Sequence, residues 1–250
     1  MPDSLEGAEH VKPYVHQRLG AKALHFSISE VQSCMQLADP TVLDLAYTRT
    51  MMGFLLFRPA PKRVAMVGLG GGSLAKFCYR YLPASQIEVV EINPHVIALR
   101  DEFHIPPDDT RFSVVRGDGA RYVQELALPV DVLLVDGFDS QGQPARLCSQ
   151  RFYDACHDAL LPGGILAVNL HFGHPHGTAL LERIHRSFGG HVMVVDDDEL
   201  SNTIVFGCKG QALPRAARTA PKGLAPEAAA QLAAGFSLVR TAMQDQAGRF

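Results

Sequence analysis

The chain contains no apolar run near the ~20 residues needed to cross a bilayer as a helix, so no membrane span is expected. Neither sign of charge dominates. Lys and Arg number 23 against 26 Asp and Glu, net −3, which leaves no electrostatic case for nucleic acid as a partner. Cysteines are few: Cys34, Cys78, Cys148, Cys156 and Cys208 are odd in number, widely spread and never in a Cys-x-x-Cys pair. That excludes a disulfide framework and suggests a reduced, cytoplasmic protein with buried thiols. The first ten residues are polar and acidic, without the basic start and apolar core of a signal peptide. Internal repeats are absent. The histidines show no metal-ligand spacing beyond His171, His174 and His176, which read as a loop after a strand, so no metal is expected.

What is present is a length of 250 residues with 47% apolar composition, enough for one large α/β domain with a sizeable core. The organising stretch runs from Val64 to Glu91. Val64-Ala65-Met66-Val67 has the length and β-branching of a buried strand. Gly68-Leu69-Gly70-Gly71-Gly72 follows. The spacing of Leu74, Phe77, Cys78 and Tyr81 then predicts a helix over 73–82. Ile87-Glu88-Val89-Val90 is a second strand, with Glu91 at its tip. A glycine turn admits a ligand close to the backbone, and an acid at the next strand end can accept hydrogen bonds from ribose hydroxyls. Gly70 to Glu91 is 21 residues, near the ~20 of such nucleoside sites. The Gly-x-Gly-x-x-Gly spacing of dinucleotide dehydrogenases is not met, because Ser73 stands at its end.

The pattern repeats downstream. Strands are predicted at 112–115, 130–135, 165–170, 191–195 and 203–208. Helices are predicted from Pro94 onward and over 120–126, 150–160 and 178–187. This alternation predicts a doubly wound, mostly parallel sheet. Upstream, the alternation of Leu24, Phe26 and Ile28, followed by 31–35, predicts one hairpin, and 41–57 reads as a lead-in helix. The expected organisation is therefore a tail, hairpin and lead-in helix over 1–58 and a nucleoside-binding domain over 59–210. A peripheral tail over 211–250 would carry one helix at 226–239.

In such sheets ligands bind at the carboxyl ends of the strands. Here consecutive strands end in the glycine loop, Glu91, Asp118 and Asp136. This order assigns Glu91 to ribose, Asp118 to the base and Asp136 to the reacting centre. Asp136 and Asp139 form an Asp-x-x-Asp pair that could take a proton from an amine nucleophile and orient a cation. The acidic run Asp196 to Glu199 reads as a solvated turn.

Gly68-Leu69-Gly70-Gly71-Gly72, Val90-Glu91-Ile92-Asn93, Gly117-Asp118-Gly119 and Val135-Asp136-Gly137-Phe138-Asp139 together resemble the spermidine synthase (polyamine aminopropyltransferase) family. Gln32-Ser33 and Tyr47 fit it too, and the resemblance covers roughly 23–209. It implies the fold of class I S-adenosylmethionine-dependent methyltransferases: a seven-stranded sheet with an antiparallel last strand, behind a small β domain. It also implies decarboxylated S-adenosylmethionine as co-substrate, with no tightly bound cofactor, a small amine such as putrescine as acceptor, and a homodimer. By resemblance, Gly68, Gly70, Gly71, Gly72 and Gly119 would border the nucleoside. Glu91 would hold the ribose and Asp118 the adenine amino group. Asp136 would deprotonate the amine, Asp139 and Tyr47 would hold it, and Gln32 would lie near the nucleoside.

The chain departs from the family at three places. Gly71 replaces an acid that binds the aminopropyl ammonium, Thr48-Arg49 replaces a polar pair after the tyrosine, and Phe138 replaces a smaller residue. An Arg facing the site would disfavour a polycationic amine. The alternatives are a methyltransferase using intact S-adenosylmethionine and a non-catalytic nucleoside-binding homologue.

Overall fold

The structure, a computed structural model, describes residues 10–26, 31–139, 142–171, 177–196, 202–213 and 221–247. The amino-terminal part is a three-stranded antiparallel sheet: β1 (Tyr14–Arg18), β2 (Ala21–His25) and β3 (Val31–Gln36). The single hairpin expected from sequence is thus corrected to a meander. β1 escaped the reading because Tyr14-Val15-His16-Gln17-Arg18 is an almost fully exposed edge strand with no buried alternation. It is joined to β2 by Leu19-Gly20, both at positive φ, the backbone of a tight two-residue hairpin turn. Residues 27–30, which include Ile28 of the expected hairpin, lie outside the described residues.

The chain then forms α1 (Ala46–Met51), a 3₁₀ turn (Met52–Leu56), β4 (Arg63–Val67), α2 (Ser73–Tyr81), β5 (Gln86–Glu91) and α3 (Pro94–Ile97). β6 (Phe112–Arg116), α4 (Gly119–Glu125), β7 (Val130–Val135), α5 (Gln150–Ala159) and β8 (Leu160–His171) follow. The last elements are α6 (Gly177–Ser187), β9 (Val192–Asp196), β10 (Asn202–Cys208) and α7 (Pro226–Ala247). The expected lead-in helix over 41–57 is shorter than predicted. Residues before Ala46 turn instead on Asp39, whose carboxylate accepts from Thr41 N and Oγ1.

The seven-stranded sheet has the order β6-β5-β4-β7-β8-β10-β9. β10 runs antiparallel to both neighbours, and the other pairings are parallel. Alternate residues serve opposite faces. Val64, Met66, Val132 and Leu134 pack with α1, α2 and α7, whereas Ala65, Val67, Leu133 and Val135 pack with α4 and α5. Both faces are covered, which explains why the central strands read as continuous apolar runs.

The tail expected to be peripheral carries α7, and this helix is part of the core. Ala228, Leu232, Phe236 and Val239 are fully buried against the α1 side of the sheet. Its alanine-rich sequence offers little apolar contrast between faces, so periodicity understated it. The helix crosses α1 closely at Gly235, where an added Cβ would stand 2.5 Å from the Arg49 carbonyl oxygen. Backbone cannot move aside as a flexible side chain can. Gly235→Ala is therefore expected to destabilise the fold by about 1–3 kcal/mol, although alanine is the better helix former. Chemical denaturation should show a lower midpoint.

Candidate active site

The order of the sheet reverses between β4 and β7, the switch point where ligands bind in open α/β sheets. A cavity of about 750 Å³ lies there, at the carboxyl ends of the strands. The loops after β4 and β7 meet tightly. Asp136 N donates to Val67 O at 2.9 Å, and Gly68 N donates to Val90 O at 2.9 Å. Gly68 has φ +96°, and a Cβ there would lie 2.2 Å from the Asp136 carbonyl oxygen, so only glycine fits.

Gly68, Leu69, Gly70, Glu91, Asp118 and Gly119 line the cavity. Gly71 and Gly72 do not line it. Side chains there would run into Ser33 and Phe103, and into Ile105, respectively. Glu91 is buried, and its carboxylate accepts from Leu69 N at 2.9 Å and Asn93 N at 2.8 Å. It therefore ties the glycine loop to the end of β5. Burial pushes its carboxyl above the usual range, against the opposing pull of those backbone N–H groups. The backbone N–H groups of Ile92 and Gly70 add to that pull.

Asp118 caps α4 by accepting from Ala120 N and Arg121 N at 2.9 and 3.1 Å. Its other oxygen accepts from Arg146 Nη1 at 2.7 Å. Arg146 lines the cavity and is missing from the sequence reading, because no local pattern ties it to an acid 28 residues earlier.

On the β7–β8 side, Tyr47, Asp136, Phe138, Asp139, Asn169 and His171 line the cavity. Tyr47 Oη donates to Asp136 Oδ2 at 3.1 Å, and Asn169 Nδ2 donates to Oδ1 at 2.9 Å. Burial raises the Asp136 carboxyl above its ordinary range, and the bonds from Asn169 and Tyr47 and the nearby His171 moderate the rise. The Tyr47 hydroxyl is pushed well up by burial and by the adjacent carboxylate. Phe138 meets the His171 ring edge-on at 4.9 Å. Asp139 and Gln32 also line the cavity.

All the sequence-predicted site residues except Gly71 and Gly72 therefore converge on one cavity. Arg49 does not line it: its guanidinium is spent on the carbonyls of Leu43 and Asp44, at 2.6 and 2.9 Å. Asn169 is a second residue that sequence reasoning missed. Its signal was a lone polar residue near the carboxyl end of an otherwise apolar strand. His174 and His176 lie outside the described residues, as do 197–199 of the acidic run. Among the described residues no cluster of ligands could hold a metal ion, and no helix is long and apolar enough to cross a membrane.

The spermine/spermidine synthase domain model matches residues 44–178. The chain is 40% identical over 173 residues to a polyamine aminopropyltransferase of Chromobacterium violaceum, covering 69% of this chain and 66% of that protein. It is 37% identical over 187 residues to the polyamine aminopropyltransferase of Neisseria meningitidis, covering 74% and 71% respectively. In structure it resembles a probable spermidine synthase from Corynebacterium glutamicum, with TM-score 0.69 and 21% identity over 78% of this chain and 76% of that one. It also resembles human methyltransferase-like protein 13, with TM-score 0.58 and 22% identity over 77% and 91%. Both likenesses bear on the fold, a methyltransferase-like α/β sheet.

The helix cap and the ion pair of Asp118 can be weighed against each other. Asp118→Ala removes a helix cap and is expected to cost about 0.5–2 kcal/mol. Arg146→Ala removes only an ion pair whose Arg side chain is 78% exposed, and is expected to cost less than about 1 kcal/mol. Denaturant midpoints of the two variants check this ordering.

Proposed function

The chain belongs to the spermine/spermidine synthase family, and from that premise we propose that it moves an aminopropyl group from decarboxylated S-adenosylmethionine to a small primary amine such as putrescine. The observation that carries this reading is the partly buried Asp136 carboxylate, held by Tyr47 and Asn169 at the end of β7, in the same cavity as Glu91 and Asp118. The nucleoside would lie along the glycine loop, with ribose hydroxyls on Glu91 and the base toward Asp118. The sulfonium carbon would then face Asp136.

A neutral amine attacks this carbon with its lone pair. The new N–C bond forms as the C–S bond breaks, and the electrons of that bond pass to sulfur, leaving a neutral thioether. Positive charge that develops on nitrogen is relieved by passing one proton to Asp136, whose raised carboxyl makes it a better base than an ordinary Asp. The sulfonium is already a good leaving group, so positioning and deprotonation are the main tasks left to the protein. Asp139 supplies a second carboxylate for a cationic acceptor.

One departure favours a second reading. Gly71 presents no acid to the donor's ammonium group, which leaves intact S-adenosylmethionine and methyl transfer as the alternative. Incubation with each donor and putrescine, read by mass spectrometry, separates the two. Methylthioadenosine and spermidine from the decarboxylated donor support aminopropyl transfer. S-adenosylhomocysteine from the intact donor supports the alternative, and no product from the decarboxylated donor removes aminopropyl transfer to putrescine.

A homodimer is part of the proposal. Its support is family resemblance and the exposed apolar side chains Val11, Tyr14, Leu19, Val31 and Leu37 around the small sheet. Sedimentation of the free chain tests it. The reduced, cytoplasmic setting is proposed from five unpaired cysteines.

The pH dependence follows from Asp136. Activity requires its carboxylate, so kcat at saturating amine should fall as pH drops through a value above the usual carboxylate range. Tyr47→Phe removes a donor to the charged form and is expected to move this acid limb to higher pH. It should also lower kcat about ten- to a hundredfold, the equivalent of the ~1.5–3 kcal/mol of a hydrogen bond to a charged group. A pH–rate profile of the variant against wild type measures both effects.

A further inference from the structure

Arg146 stands on a 3₁₀ turn, Ala145–Cys148, in the loop after β7. The turn is fixed independently of that side chain. Leu147 N donates to Pro144 O at 2.9 Å, and Arg183 Nη1 from α6 donates to Cys148 O at 2.6 Å. Leu147 is buried in the cluster that holds Val67, Ala120 and Val135, and it packs so closely on Gly137 that a Cβ there would stand 2.5 Å from its Cδ1. The turn thus carries Arg146 to the buried Asp118, with Nη1 2.7 Å from Oδ2, and both residues line the cavity. Asp118 Oδ1 already accepts from Ala120 N and Arg121 N. The ion pair uses one acceptor position of Oδ2 and one of the five coplanar N–H donors of the guanidinium. An acceptor and a planar set of donors therefore stand side by side. They complement a base edge that carries an amino donor next to a ring-nitrogen acceptor, as adenine does.

We propose that Arg146 is a second reader of the base: while an amino N–H of the base donates to Asp118 Oδ2, a guanidinium N–H of Arg146 donates to the ring nitrogen beside that amino group. This rests on the nucleoside placement given above and holds for either donor, because both carry the same base. A ring carbon in place of that nitrogen would turn a C–H toward the guanidinium and leave its N–H without the acceptor. A lysine would keep the charge beside Asp118 but not the planar fork that can span two partners. The Arg146 side chain is 78% exposed, so water competes for its donors, and the discrimination expected is about three- to fivefold in affinity.

The test is calorimetry of the full chain with methylthioadenosine and with its 1-deaza and 7-deaza analogues. Each analogue lacks one of the two ring nitrogens that flank the amino group. Wild type is expected to bind methylthioadenosine about three- to fivefold more tightly than one of the two analogues. Arg146→Met keeps much of the side-chain length and loses the donors. It should bind methylthioadenosine more weakly by that same factor and bind that analogue as wild type does, so the preference disappears. Arg146→Lys should lose the preference as well, which separates the fork from mere charge beside Asp118. A preference that survives in Arg146→Met assigns the ring nitrogen to another donor and overturns the proposal. Unchanged or tighter binding of methylthioadenosine by Arg146→Met also overturns it, since the arginine would then be a surface ion pair or an obstacle to the base. Wild type that binds all three compounds alike removes this inference and leaves the nucleoside placement standing. Wild type that binds none of them removes that placement, and the inference with it.

Discussion

The arrangement of the site depends on how one partly buried carboxylate, Asp136, is held. Burial alone would make its charged form costly. The fold answers with donors from two separate elements: Tyr47 from α1 and Asn169 from β8, each on a different oxygen. α1 is in turn clamped by α7, which approaches it at Gly235, so a helix far along the chain fixes the position of the tyrosine. The tuning of Asp136 thus reaches through the packing of half the domain. A disturbance between α1 and α7 would reach Asp136 through the Tyr47 hydroxyl.

The nucleoside end is built differently. There the acids are held mainly by backbone N–H groups. Glu91 joins Leu69 N to Asn93 N, and Asp118 caps α4. Backbone donors are placed by the turns themselves and lose no side-chain entropy when they bind. This end is consequently legible as motif, because the constraint acts on neighbours in sequence. The acceptor end is held by side chains 33 and 89 residues away from Asp136, and motif cannot register such distances.

This difference explains what could be read beforehand. Strand ends, the glycine loop and the acids at 91, 118 and 136 follow from apolar periodicity and the rule that ligands gather at carboxyl ends. β1 was invisible because an exposed edge strand needs no alternation. α7 was underrated because alanine-rich faces pack closely with little apolar contrast. Asn169 and Arg146 were missed because their meaning lies in their partners, Asp136 and Asp118. Whether Arg49 faces the site was open for the same reason: only the fold shows its guanidinium committed to the Leu43 and Asp44 carbonyls.

The electrostatic balance of the cavity bears on the donor. Glu91, Asp118, Asp136 and Asp139 line it against one arginine, Arg146, which is already paired with Asp118. The field is negative, and it suits a sulfonium and an amine better than a donor with a free carboxylate. Gly71 does not reverse that balance. A side chain at 71 would meet Ser33 and Phe103, neither of which lines the cavity, so an acid there would require those side chains to move. In the proposed reading, the carboxylates left to attract a cationic tail are therefore Asp136 and Asp139, the pair that also serves the acceptor. Donor tail and acceptor would share one source of negative charge, and the bond between them would form where that charge is greatest.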